Sequence, residues 1–238
     1  MHERIQHYLR AVVEAERDPV DAGAFVLYLH PHSDHPYLNY AIPLEGATGG
    51  DPRRLMAAAR ERGLVPRVEY VEFCFPWVED ALLAAGFDIE ARLRLMTCER
   101  PAAPRTEAQI VRLERGSALV RDTIAVQRAA FGEPAPSDDD VARWGGRSVA
   151  ALIGDHVVGG AAWTRVLDGM TEIVGVAVDE GHRHRGIGAA LTAAAVREAR
   201  SEGATLALLT PGDDPTARIY ERAGFADASR MLHLRAPR

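Results

Sequence analysis

Cysteine is scarce in this chain, with Cys74 and Cys98 the two present among 238 residues. Neither stands in a metal-binding spacing, so the expectation is two reduced, buried thiols in a cytosolic protein. Positive charge is not in excess either: 28 basic residues stand against 34 acidic ones, a formal net charge of −6. That balance gives no broad electrostatic footprint for nucleic acid. Long apolar runs are missing as well. No stretch approaches a membrane span, and the opening residues Met1 to His7 carry no apolar segment of the signal-peptide kind. The expected setting is therefore soluble and cytoplasmic, with no nucleic-acid partner and no membrane partner. What remains is ordinary globular material, 47% hydrophobic and 26% charged. Its length suits one large domain or two small ones.

The most informative stretch runs from Thr171 to Ala189. Residues 171–178 are mostly β-branched or small, as suits a strand covered on both faces. From Leu191 the pattern turns helical, with Leu191, Ala195, Val196 and Ala199 on one face. Between them lies Arg183-His184-Arg185-Gly186-Ile187-Gly188. A helix that starts on glycines offers backbone N–H groups without partners, and its dipole adds partial positive charge there. Gly186 and Gly188 have no Cβ, so a phosphate can approach the main chain closely. Arg183 and Arg185 place full charges beside that opening. No Gly-Lys-Ser/Thr follows, so this is not a P-loop, and no acidic residue about twenty positions on supports a dinucleotide fingerprint.

Arg183 to Gly188 resembles the Arg/Gln-x-x-Gly-x-Gly/Ala loop of the GCN5-related N-acetyltransferases (the GNAT superfamily), which holds the diphosphate of acetyl-coenzyme A. Further on, Tyr220-Glu221-Arg222-Ala223-Gly224-Phe225 looks like the Tyr-x-x-x-Gly-Phe that closes the same fold. The resemblance implies that main-chain groups of Val176, Ala177 and Val178 pair with the pantetheine arm. It also implies that Arg183, His184, Arg185, Gly186, Ile187, Gly188 and Ala189 hold the diphosphate. A strand that splays from its neighbour leaves N–H and C=O groups that an amide-bearing arm can satisfy like an added strand. One such N–H can polarise the thioester carbonyl.

The chain in order reads as a helix over 2–17, with Ile5, Leu9, Val12 and Val13 on one face. Strands follow at 24–29 and 37–44. The segment between them, His30 to Pro36, gathers three histidines and Asp34, which raises a metal. Two prolines mark it as a loop, and no paired-ligand pattern is present, so no metal is expected. Next come a helix over 52–62 started by Asp51-Pro52, a strand over 67–75, a helix over 76–85 and a strand over 89–98. Arg100 to Thr106 is rich in proline and alanine and is the expected linker.

After the linker the expected order is a strand at 110–113, a helix over 117–130, and a short helix capped by Asp138. A hairpin of 148–154 with 157–165 turns at Gly154-Asp155. The glycine-started helix then leads to a strand at 204–210, a helix over 213–223 and a strand at 229–234. This order matches the GNAT fold. Segment 131–145 reads equally as a substrate lid or a solvated loop.

An internal repeat shows in the letters. Ala84 to Arg92 parallels Arg222 to Arg230, and Ala59 to Gly63 parallels Ala199 to Gly203. A repeat of this size implies two copies of one arrangement rather than a solenoid. Where the second copy has its arginine–glycine loop, the first has Glu45 to Pro52 without arginines. The expected fold class is therefore α/β (α+β), with two GNAT-like mixed sheets flanked by helices. Residues 1–100 form a shortened, degenerate copy, 101–106 the linker, and 107–238 the complete copy.

By resemblance the reaction is direct attack of an amine on an acyl-CoA thioester, most simply acetyl-CoA as co-substrate. Tyr220 is the candidate donor to the departing thiolate, with a reference pKa of about 10 against about 8.5 for a thiol. Its other reading is a core aromatic. Glu172 is the first choice for the base, working through water, and reads equally as a solvated strand-end residue. Histidine is a base by type, but His182 and His184 lie in the phosphate turn. Two positions depart from the family pattern: Asp213 stands where asparagine is common, and Glu180 where proline is common. The acceptor is a small-molecule or protein amine, and the chain is a monomer or homodimer. The alternative is a non-catalytic acyl-CoA-binding, sensing or scaffolding protein.

Overall fold

The computed structural model describes residues 1–33 and 35–237. The chain divides into two compact units, one made of residues 1–95 with those from Ala228 onwards, the other of Met96–Asp227. The expected linker at 101–106 thus lies inside the second unit, and most of the last strand lies in the first.

The first unit opens with α1 (His2–Glu16) and β1 (Asp18–Asp21), then β2 (Phe25–Leu29), a 3₁₀ turn (Pro36–Leu38) and β3 (Tyr40–Pro43). It continues through α2 (Arg53–Arg60), β4 (Arg67–Val71), α3 (Val78–Ala84) and most of β5 (Asp88–Cys98). Strands β1, β2 and β3 pair antiparallel, and β3 runs parallel to β4. A later strand, β11 (Ala226–Arg235), pairs antiparallel with β4. One face of this sheet packs Phe25, Leu27, Val68 and Leu232 against Leu55 of α2 and Leu82 of α3. Val13 of α1 packs with Tyr28 and Ile42 in a separate cluster. Strand β1 was not legible in advance. It is short, exposed and carries Pro19, all features of an edge strand with little apolar signal.

The second unit runs β6 (Gln109–Arg112), α4 (Leu119–Ala130), α5 (Asp138–Ala142), β7 (Ser148–Ile153), β8 (His156–Trp163) and β9 (Met170–Val178). A 3₁₀ turn (Glu180–His182), α6 (Ile187–Ser201), β10 (Leu206–Leu209) and α7 (Asp214–Ala223) complete it. Strands β6 to β9 form an antiparallel series, β9 runs parallel to β10, and β10 pairs antiparallel with Met96–Cys98 of β5. Helix α6 is buried along nearly its whole length, so alanine dominates it where a larger side chain would not fit. Its Leu191, Ala195, Val196 and Ala199 sit in the main core with Val149, Ala161 and Leu209.

Helix α5 is capped by Ser137, not Asp138. Ser137 Oγ accepts the Asp140 N–H, while Asp140 accepts the Ser137 N–H, a reciprocal capping box. In both units a strand, a helix and a parallel strand follow one another, and a further helix then ends on a left-handed glycine, Gly86 or Gly224. No helix among the described residues is long and apolar enough to cross a membrane.

Candidate active site

The site begins where β9 parts from β10 while staying paired with β8. Its ladder with β10 covers Met170–Glu172. On the other side its register with β8 shifts between Gly160 and Ala162. At this irregularity Gly175 has φ +61, a left-handed conformation that glycine adopts without penalty. Gln127 of α4 donates its Nε2 to the Gly175 carbonyl at 2.7 Å. A bulge of this kind bends the strand and re-aims the residues after it. Here it precedes Val176, Ala177 and Val178, which line a cavity of about 340 Å³. Gln127 was not foreseen, because nothing in the letters brings residue 127 to residue 175.

Beyond β9 the chain turns tightly. The Asp179 carboxylate accepts the Gly181 N–H at 3.2 Å and contacts His182 Nδ1 at 2.8 Å. The His182 contact, followed by the backbone bond, holds the Asp179 carboxyl below its ordinary range against the effect of desolvation. His184 has φ +64 and Gly186 φ +75. A Cβ on Gly186 would fall 2.8 Å from the Arg105 carbonyl oxygen, so both sterics and backbone conformation demand glycine there. Gly186 caps α6 with no side-chain bond. The first N–H groups of that helix are therefore free of a capping side chain, with the dipole's positive end beside them.

Helix α7 forms the opposite wall through Thr216, Ile219, Tyr220 and Arg222. A Cβ on Gly188 would sit 3.3 Å from Ile219 Cγ2, so the two helices approach closely at the glycine. Tyr220 is 9% exposed and its phenol is pushed up to about 12, first by burial and then by the Asp213 charge. Asp213 caps α7 by accepting the Thr216 N–H at 2.7 Å, and hydrogen bonding from the Thr216 side chain, then from its backbone, holds the Asp213 carboxyl below its ordinary range. The end of α4 supplies Ala130 and Phe131, the latter 60% exposed. Neither was named as a site residue, although Phe131 opens the segment 131–145 read equally as a substrate lid or a solvated loop; an exposed aromatic at a helix end gives no periodic signal.

Of the expected site residues, Val176, Ala177, Val178, Arg183, His184, Gly186, Ile187, Gly188, Ala189 and Tyr220 line this one cavity. Arg183 Nε donates to the Val178 carbonyl at 3.2 Å. Arg185 instead pairs with Glu107 at 3.0 Å, on the surface. Asp213 stays at its cap. Glu172 lies on the paired part of β9, where its N–H and C=O both bond Thr164, and it is not among the lining residues. Segment 131–145 is anchored rather than open, since Asp140 pairs with Arg128 at 2.9 Å and Asp138 with Arg121. In the histidine loop Asp34 lies outside the described residues. His30 N–H donates to Asn39 Oδ1 at 2.8 Å, and among the described residues no group of three or more metal-ligating side chains gathers.

A parallel strand pair that opens over a glycine-started helix, faced by a tyrosine-bearing helix, defines a mixed α/β, GNAT-like fold. Residues 117–225 match the model of the acetyltransferase (GNAT) family. A GCN5-related N-acetyltransferase from Kribbella flavida is 28% identical over 100% of this chain and 96% of its own, with a TM-score of 0.82. One from Sphaerobacter thermophilus is 18% identical, covering 97% and 90%, with a TM-score of 0.68. A GNAT-family acetyltransferase structure from Novosphingobium aromaticivorans is 21% identical, covering 94% and 93%, with a TM-score of 0.59. The last two carry the likeness in fold alone. No curated protein matches the chain in sequence. Together these findings show a likeness to GNAT proteins, in sequence over residues 117–225 and in fold over the whole chain.

Proposed function

We propose that this protein is an acyl-CoA-dependent N-acyltransferase that moves acetyl from acetyl-CoA to an amine within a ternary complex. The observation that carries the reading is one cavity shared by the open edge of β9, the uncapped start of α6 and Tyr220. The residues present fit the co-substrate. Gly186 and Gly188 keep Cβ atoms out of the helix start, and Arg183 adds charge beside it. Main-chain groups of Val176–Val178 suit an amide-bearing arm laid along the strand.

In the reaction the amine nitrogen bonds to the thioester carbon, the carbon–sulfur bond breaks, and the ammonium proton leaves to a base. The thiolate takes a proton or a strong hydrogen bond. Tyr220 is protonated at neutral pH, with its phenol at about 12. Against a thiol near 8.5, complete proton transfer is uphill, so the phenol serves best by donating a hydrogen bond to the developing thiolate. Glu172 remains our base, reached through water because it stands outside the cavity. The acceptor is a small-molecule or protein amine. We place the protein in the cytoplasm, where its two free thiols suit a reducing compartment. We read the two units as a tandem pair, the first degenerate, on the strength of the repeated letters and the repeated strand–helix–parallel-strand order.

A second reading, a non-catalytic acyl-CoA sensor, draws on Glu172 lying off the cavity and Asp213 being spent on a cap. Calorimetric titration of acetyl-CoA into the wild type and Gly188→Leu tests the shared part. Binding by the wild type that the variant loses is expected; no binding by folded wild type removes both readings. Acceptor turnover then separates them.

A further inference from the structure

Among the described residues, the cavity that gathers the start of α6 and Tyr220 is lined by two arginines, Arg183 and Arg222, and by no carboxylate. A wall of that charge favours an anion. What each cation is free to do follows from its partners. Arg183 spends its Nε on the Val178 carbonyl at 3.2 Å and keeps its two terminal nitrogens. Arg185, the other arginine of the loop, lies outside the cavity wall, its Nη1 donating to Glu107 Oε1 at 3.0 Å. His182 lies against the Asp179 carboxylate, and an imidazole is charged only when protonated. The loop thus leaves one arginine to face a group that holds two phosphates.

Arg222 supplies what the loop lacks. It stands in the last turn of α7, three residues after Ile219, and positions three apart are neighbours on a helix surface. Ile219 is the residue that meets the start of α6, since a Cβ on Gly188 would sit 3.3 Å from its Cγ2. The Arg222 side chain is exposed at the cavity wall, and among the described residues no carboxylate, carbonyl or ring takes up its guanidinium. A guanidinium is charged at all ordinary pH, and its planar fork matches the paired oxygens of a phosphate. A cation in the last turn also complements the helix dipole, but that role needs no place in the cavity wall.

We infer that Arg222 is the second cation of the diphosphate site, in the role that the sequence pattern gives to Arg185. Arg183 from the loop and Arg222 from α7 hold the group together with the first N–H groups of α6. The inference rests on acyl-CoA being the ligand of this cavity.

Calorimetry of the full chain with acetyl-CoA tests it across Arg222→Gln, Arg185→Gln and Arg218→Gln. Arg218 is exposed on the same helix, one turn before Arg222, and lies outside the cavity wall. Its loss removes the same charge without removing the contact. Arg222→Gln should weaken acetyl-CoA by about tenfold or more, as loss of a charge-assisted bond implies. The other two should stay within about twofold of wild type, as exposed charges do. Arg222→Lys keeps the charge but not the fork, so it should fall between, and it carries the comparison if Arg222→Gln does not fold. The same loss should appear with 3′-dephospho-acetyl-CoA, which keeps the diphosphate. Wild-type affinity in folded Arg222→Gln overturns the inference, as does an equal or larger loss in either other glutamine variant. A loss that vanishes with the dephospho compound also overturns it, since Arg222 would then serve the 3′-phosphate. No binding of acetyl-CoA by folded wild type overturns the proposed function and this inference together, whereas binding indifferent to Arg222 overturns this inference alone.

Discussion

At the scale of single residues, Tyr220 carries the sharpest expectations. Replacing it with phenylalanine removes one hydroxyl from the cavity and leaves the ring packed near Phe225, at a centroid distance of 6.3 Å. We expect turnover to fall by about 100-fold with acetyl-CoA affinity unchanged, measured by steady-state rates and calorimetry on the same sample. Unaltered turnover in folded protein would take the hydroxyl out of the mechanism. The phenol also links folding to alkali. Its folded value of about 12 is raised, so the stability it contributes is whole below the ordinary tyrosine value of about 10. It is lost as pH climbs towards 12. Tyr28 behaves alike, pushed up to about 12 by burial and then by its bond to Glu14, and burial raises the Cys74 thiol to about 11. The chain has no lysine, so lysine deprotonation does not confuse that window. The urea midpoint should hold up to the onset of thiol titration near pH 9 and then drop, less steeply in Tyr220→Phe. An identical slope in the variant would contradict the burial argument.

At the scale of elements, the bulge in β9 governs whether Val176–Val178 meet the cavity. Two features hold it: the left-handed Gly175 and the Gln127 amide bonded to its carbonyl. A Cβ at Gly175 would lie 2.9 Å from Gln127 Nε2 and would also carry an unfavourable φ. Gly175→Ala should therefore cost about 1–2 kcal/mol in stability. Gln127→Leu deletes the bond without touching the glycine and should cost about 1 kcal/mol. For it we expect the KM for acetyl-CoA to rise several-fold, with Gln127→Glu no rescue, because a carboxylate cannot donate to a carbonyl. Equal KM in Gln127→Leu and wild type would mean the bulge holds itself. Helix α4 is seated by the same kind of contact: a Cβ on Gly160 would fall 2.5 Å from Thr123 Cγ2, so glycine lets the helix lie close on the sheet.

At the scale of the whole molecule, the composition of the two units matters more than the linker. Leu232 and Leu234, 1% and 0% exposed, belong to the core of the first unit although they come last in the chain. Conversely Met96 and Cys98 belong to the core of the second. A fragment of residues 1–100 lacks the strand that pairs with β4, and a fragment of 107–238 lacks the strand that pairs with β10. Neither should unfold cooperatively when made alone, in calorimetry or near-UV circular dichroism. A sharp independent transition in either would show that the exchanged strands contribute little.

Much of this protein was legible beforehand, and the reason is local. Strand and helix periodicity, the turn dipeptides and the glycine-started helix depend on neighbours within a few positions, so nearly every element was foreseen within a few residues. The arginine–glycine loop and Tyr220 were readable because each motif is contiguous, and the cavity gathers Tyr220 and all of the loop but Arg185. The features that the letters alone could not show depend on distance along the chain. Ser137 outcompetes Asp138 for the cap because Asp140 reciprocates. Arg185 turns to Glu107, Asp213 is consumed at the start of α7, and Glu172 sits in a paired register away from the cavity. Gln127 reaches Gly175 across 48 positions. Gln6 and Arg10 are buried, one accepting the Val71 N–H and the other donating to the Pro43 carbonyl, although polar residues of an amphipathic helix are expected on its wet face. Local sequence determined the elements and the motifs, since their energies are set by adjacent residues. Only tertiary packing decided which polar groups were left facing open space, because a donor's partner is chosen by the fold that brings it near.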